Sequence, residues 1–126
     1  MKPLKPKEVR LGNLTSHGVV SSIDRLCFTA NDGRDVHFST DTDILPVPLT
    51  PDILEGFGFV RDENVLCLEI NNNSLDYLTA HPEDGVELYD HYGDVILLPE
   101  MKHAHTLQNF VQAISGVELV YKPNPN

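Results

Sequence analysis

Turn-forming residues recur through this chain at short, even intervals, and they limit the regular elements between them to a handful of residues each. Gly12-Asn13, Asn31-Asp32-Gly33, Asn71-Asn72-Asn73, the PEDG of 82–85 and the HYGD of 91–94 each interrupt a run of apolar and β-branched residues. Short strands joined by tight turns are what such spacing allows. A short strand in VRLGNLTSHG, then GVVSSID, RLCFTA and DVHFS, reads as a compact β-meander or small half-barrel over residues 9–39. Asn, Asp and Gly tolerate the positive φ angles that a hairpin turn demands. In the returning strand, Val36 and Phe38 share one face, and Asp35 and His37 the other. NVLCLEI, SLDYLTA, VELYD and VILLP read as a second, four-stranded antiparallel meander in which Val86 and Leu88 alternate with Glu87 and Tyr89. VILLP is apolar on both faces and is expected to be its central strand.

Two segments carry the helical period instead. In the first, over residues 51–57, Thr50 is suited to cap the helix, Pro51 to open it and Asp52 to face the positive end of its dipole. Gly56 and Gly58 weaken and end it, and Phe57 and Phe59 anchor its exit. The second spans about 104–115, where Leu107, Phe110, Val111 and Ile114 recur on one face and Gly116 supplies the stop. VELVY, over 117–121, is expected to return to the sheet as a strand.

These elements predict an α+β fold, either a mainly antiparallel sheet or a partly closed small barrel, with the two helices packed on it. Residues 1–8 read as an extended basic arm, 9–122 as a single domain and 123–126 as a tail. A chain of 126 residues can hold a core without disulfides or structural metal. The basic start has no apolar core of signal-peptide length, and no run approaches a membrane span. The expected location is the cytoplasm.

Charge narrows the partners. Nine basic residues against nineteen acidic ones leave a net charge of −10. The imbalance is concentrated: from Asp35 to Glu100 fifteen carboxylates meet only Arg61. Such a surface repels phosphate backbones, so direct nucleic-acid binding is not expected, whereas basic proteins are favoured. The simplest reading of the charge is solubility. Cys27 and Cys67 lie forty residues apart in strand-like runs, without a C-x-x-C pair, and read as buried free thiols of a reducing compartment.

The second helix carries the most distinctive polar pattern. His105, Gln108, Asn109 and Gln112 are spaced three and four apart on the face opposite the apolar stripe, and no formally charged residue occurs from His103 to Val117. A solvated helix face in an acidic chain normally carries charges, so an amide-rich neutral face suggests contact with a partner or a polar ligand. The competing reading is that these groups cap the helix or satisfy nearby backbone. His103 and His105 are weak metal candidates, joined by His81, His91 or Asp90 only if the fold gathers them; at a helix entry their side chains diverge, and loop histidines without metal are the simpler expectation. Asp41 and Asp43 read as a solvated turn lacking the rest of a calcium loop. Asp84, Glu87, Asp90 and Asp94 read as a charge cluster. No phosphate-binding glycine loop or nucleophile elbow is present, and no cofactor is expected.

Three stretches resemble an uncharacterised family of short bacterial, phage and mobile-element proteins. VRLGNLT resembles its L-R-x-G-N opening with the first two residues exchanged, PVPLTPDILEGFGF its P-x-P-L-T segment, and HTLQNFVQAISGVEL its H-x-L-Q-N…G-x-E-L segment. Together they cover about a third of the chain. The resemblance implies a small α+β protein and no particular activity. It maps Pro48, Leu49, Thr50, His105, Leu107, Gln108 and Asn109 onto recurrent positions; Leu49 and Leu107 suit a core and Thr50 a cap, which leaves His105, Gln108 and Asn109 as the positions to test. The functional expectation is a non-enzymatic binding or accessory protein with a protein partner. The alternatives are an acidic decoy or inhibitor of a basic nucleic-acid-handling protein, and a metal-assisted hydrolase.

Overall fold

The computed structural model describes residues 2–71, 75–81, 85–90, 95–98 and 101–123. The turns expected at 72–73, 82–84 and 91–94, with His91, Asp84 and Asp94, lie outside the described residues, as does the tail beyond 123. Where the sequence reads as one domain, the chain gathers into two compact units, Met1–Val47 with His103–His105 and Pro48–Lys102 with Thr106–Asn126. Among the described residues no helix is long and apolar enough to cross a membrane.

The first unit holds the expected meander. Strands β1 (Leu14–Thr15), β2 (Gly18–Ile23), β3 (Phe28–Asn31) and β4 (Val36–Phe38) pair antiparallel in sequential order. The β3–β4 turn closes as anticipated: Gly33 takes φ +94°, Asn31 Oδ1 accepts from the Gly33 N–H, and Asp32 Oδ1 accepts from those of Arg34 and Asp35. The core is Leu4, Val9, Val20, Phe28, Ala30 and Ile44. Leu4 corrects the expectation of an extended arm. It is buried, its N–H donates to Ile44 O at 2.8 Å, and Pro6–Glu8 form a 3-10 turn. An apolar residue among lysines is enough to tie the segment down; burying such a side chain stabilises by roughly 2 kcal/mol.

The second unit begins with α1 (Pro51–Gly56), which Thr50 caps by accepting the Ile53 N–H at 3.3 Å. Strands β5 (Val60–Asp62), β6 (Val65–Glu69), β7 (Tyr77–His81), β8 (Gly85–Tyr89) and β9 (Val95–Leu98) follow as a five-stranded antiparallel sheet in sequential order. The sequence reading lacks β5, whose three residues are all exposed and carry no burial period. One face buries Leu66, Leu78, Ala80, Val86 and Leu88. Neither sheet closes on itself among the described residues, so two open sheets replace the barrel alternative.

Two strand expectations are corrected. VILLP is not central: among the described residues β9 pairs with β8 alone, and Val95, Ile96 and Leu97 are exposed. Apolar residues on both faces of a run do not distinguish a doubly covered strand from an edge. VELVY is not a strand. After α2 (Ala104–Ser115) and Gly116, the chain runs irregularly along α1. Lys122 N–H donates to Gly56 O at 2.7 Å, and the Tyr121 ring meets Phe57 edge-on with centroids 5.5 Å apart. Gly56 is required here, because a Cβ on it would lie 2.3 Å from the Tyr121 ring. A helix carbonyl and an aromatic contact thus hold this segment in place of a β-ladder.

Candidate functional site

The helix face expected to point outward is largely turned in. His105 and Gln108 are only 6% and 5% exposed, Asn109 is half-buried, and Gln112 alone is exposed. The side chain of Gln108 donates from Nε2 to Leu119 O at 2.9 Å, which satisfies it within the fold. The buried stripe runs through Ala104, Leu107 and Val111, while Ile114 at its expected continuation is exposed. Residues 104, 107, 108 and 111 repeat at helical spacing just as well as 107, 110, 111 and 114 do, so the sequence pattern left the rotation of α2 open. His105 and Gln108 are therefore withdrawn from an outward site.

The ring centroids of His103 and His105 lie 6.1 Å apart, and among the described residues no group of three potential metal ligands forms. His105 Nδ1 is buried without a hydrogen-bond partner. Burial, then the neighbouring His103, pushes the His105 imidazole below its usual range, so this ring is held neutral. The thiols are half-exposed, unlike the expected buried pair, and both are free. Burial and then the Asp62 charge raise the Cys67 thiol, whereas the Ser39 hydroxyl lowers that of Cys27. The first unit also brings four polar side chains together. Asp32 pairs with His37 Nε2 at 2.8 Å, the His37 and His17 rings lie 4.8 Å apart, and Ser16 Oγ meets His17 Nδ1 at 3.0 Å.

The richest constellation is on the open face of the second sheet. Strand register sets it out: Val60, Cys67, Thr79, Glu87 and Leu97 form one cross-strand row, and Glu69, Tyr77, Tyr89 and Val95 the next. His81 follows two residues beyond Thr79 and therefore shares this face. Its Nε2 pairs with Glu87 Oε1, and the Tyr89 hydroxyl donates to Glu87 Oε2 at 3.4 Å. Burial, then the Glu87 charge, raises that phenol above its usual range. Tyr77 and Tyr89 stack with ring centroids 4.3 Å apart and planes 9° off parallel.

Beside the stack is a cup of about 280 Å³, lined by Cys67, Glu69, Asn71, Asp76 and Tyr77. Its end is firmly closed: Asp76 O accepts from the N–H groups of both Ile70 and Asn71, at 2.8 and 2.9 Å. Asn71 adopts a left-handed φ of +52°, a conformation asparagine tolerates better than most residues, and its Nδ2 donates to Glu69 Oε2 at 3.3 Å. Period-two alternation places Tyr77, Thr79 and His81 on one face, and Glu87 and Tyr89 on another strand's equivalent face. The pairing of those strands brings them into one site, and pairing is not written in either segment alone.

Charge divides sharply between the units. Six acidic and six basic residues fall in the first, thirteen acidic and three basic in the second, so the second carries the whole net charge of −10. No family model, curated protein or solved structure matches the chain.

Proposed function

We propose that this protein is a non-enzymatic binding protein, an accessory of a mobile-element or prophage-like setting, which engages a basic partner protein through the open face of its second sheet. The observation that carries this reading is the coincidence, on one unit, of all the net negative charge and an aromatic, carboxylate-lined cup. A field of that sign steers cationic surfaces toward the sheet and repels phosphate. Tyrosines supply contact area at small entropic cost, a frequent property of binding surfaces. The acidic-decoy alternative, in which the partner is a nucleic-acid-handling protein, shares this surface and is the form the charge supports best.

The test is fluorescence anisotropy with labelled octa-arginine and octa-glutamate peptides from 50 to 300 mM NaCl. Octa-arginine is expected to bind, and to weaken by at least about tenfold over that salt range. Asp62→Lys combined with Glu69→Lys, both exposed on that face, should weaken it further. Failure to bind octa-arginine, or binding indifferent to salt and to both reversals, would overturn the proposal.

A further inference from the structure

We infer that the cup beside Tyr77 is an anchoring pocket for one arginine side chain of the partner. The inference rests on the reading above and specifies its contact. Register fixes the arrangement: Tyr77 on β7 lies between Glu69 on β6 and Tyr89 on β8. Tyr77 lines the cup and Tyr89 does not, so Tyr77 offers the cup the side away from its stacking partner. Tyr77 as a residue is 37% exposed, although its ring is stacked.

A planar cation laid against that side gains the attraction of the ring quadrupole. It also comes beside Glu69, whose Oε2 is engaged by Asn71, and beside Asp76 at the closed end of the hairpin. Guanidinium suits this better than ammonium. It is flat, weakly hydrated and donates through several N–H groups in one plane, so it can stack and meet carboxylates together. The lining combines carboxylate and amide side chains with an aromatic ring and a thiol, the composition expected around a delocalised cation.

The experiment titrates the intact protein with three capped tripeptide amides, Gly-Arg-Gly, Gly-Lys-Gly and Gly-citrulline-Gly, followed by amide NMR shifts. The arginine peptide should move the signals of Cys67, Glu69, Asn71, Asp76 and Tyr77. Citrulline, the neutral isostere, should bind about tenfold or more weakly, and lysine about threefold more weakly. Tyr77→Leu should cost about fivefold in affinity for the arginine peptide, whereas Tyr77→Phe, which keeps the stack, should bind like the native protein. Equal binding of citrulline, shifts centred elsewhere, or an unaffected Tyr77→Leu would overturn the pocket. If Tyr77→Leu also leaves octa-arginine binding unchanged and salt-sensitive, the pocket fails while the acidic surface stands. If neither arginine probe binds the native protein, both fail.

Discussion

Gln108 shows how a side chain selected for its polarity turns out to be structural. Its amide satisfies the buried carbonyl of Leu119, and alanine there leaves that acceptor without a partner and a void around it. Gln108→Ala should lower unfolding free energy by roughly 2–3 kcal/mol in urea, and Gln112→Ala, on the exposed side of the same helix, should change it by less than about 0.5 kcal/mol. The pattern of amides at three- and four-residue spacing was legible in the sequence. Which of them faced inward was not, because alanine at 104 and glutamine at 108 give the buried side no stronger apolar mark than Phe110 and Ile114 give the other. His105 carries a sign that can be tested. Its folded pKa is depressed, so the stability it contributes is complete above the unfolded value near 6.5 and is lost as pH falls through the folded value. The difference in urea midpoint between the native protein and His105→Leu should therefore shift against the native protein between pH 7.5 and pH 5.5. A difference independent of pH would mean that the ring is solvated in the folded state.

At the scale of elements, local chemistry was readable wherever a few adjacent residues decide the outcome. Thr50-Pro51-Asp52 starts a helix, and Thr50→Ala should cost about 1 kcal/mol through loss of the cap. Asn31-Asp32-Gly33 makes its turn for the same local reasons. Elements whose state depends on a distant partner were not readable. VELVY has strand composition, yet its Leu119 carbonyl is taken by Gln108 and the N–H of the adjoining Lys122 by Gly56 of α1; VILLP has the composition of a central strand, yet among the described residues only β8 pairs with it. As an edge, β9 leaves Ile96 58% exposed between two other exposed apolar residues, the kind of border on which chains pair. Repulsion between acidic copies opposes that pairing, and salt removes the repulsion. Sedimentation velocity at 1 M NaCl should show self-association that Ile96→Lys abolishes; monomers of both proteins at that salt would show that the edge is already protected.

On the scale of the whole molecule, charge segregates with the fold in a way no linear count reveals. The sequence shows an acidic middle, but only the assignment of segments to units shows that one unit is balanced and the other holds the entire excess. Compacting thirteen carboxylates with three bases raises the free energy of that unit, and screening them relieves it; a unit with six charges of each sign has no such term to relieve. Amide exchange can read the two separately, because opening need not be global. Between 20 and 300 mM NaCl, amides of β6, β7 and β8 should gain protection, while those of β2 and β3 stay within about twofold of their low-salt rates. Equal gains in both sheets would mean that the chain opens as one body. No gain in either would mean that the carboxylates are spaced too widely to feel one another, and the electrostatic attraction for a basic partner would then be correspondingly weak. A cationic partner is the physiological counterpart of that salt: by neutralising the same carboxylates it should protect β6–β8 selectively, so the stability of the second unit and its capacity to bind arise from one charge distribution.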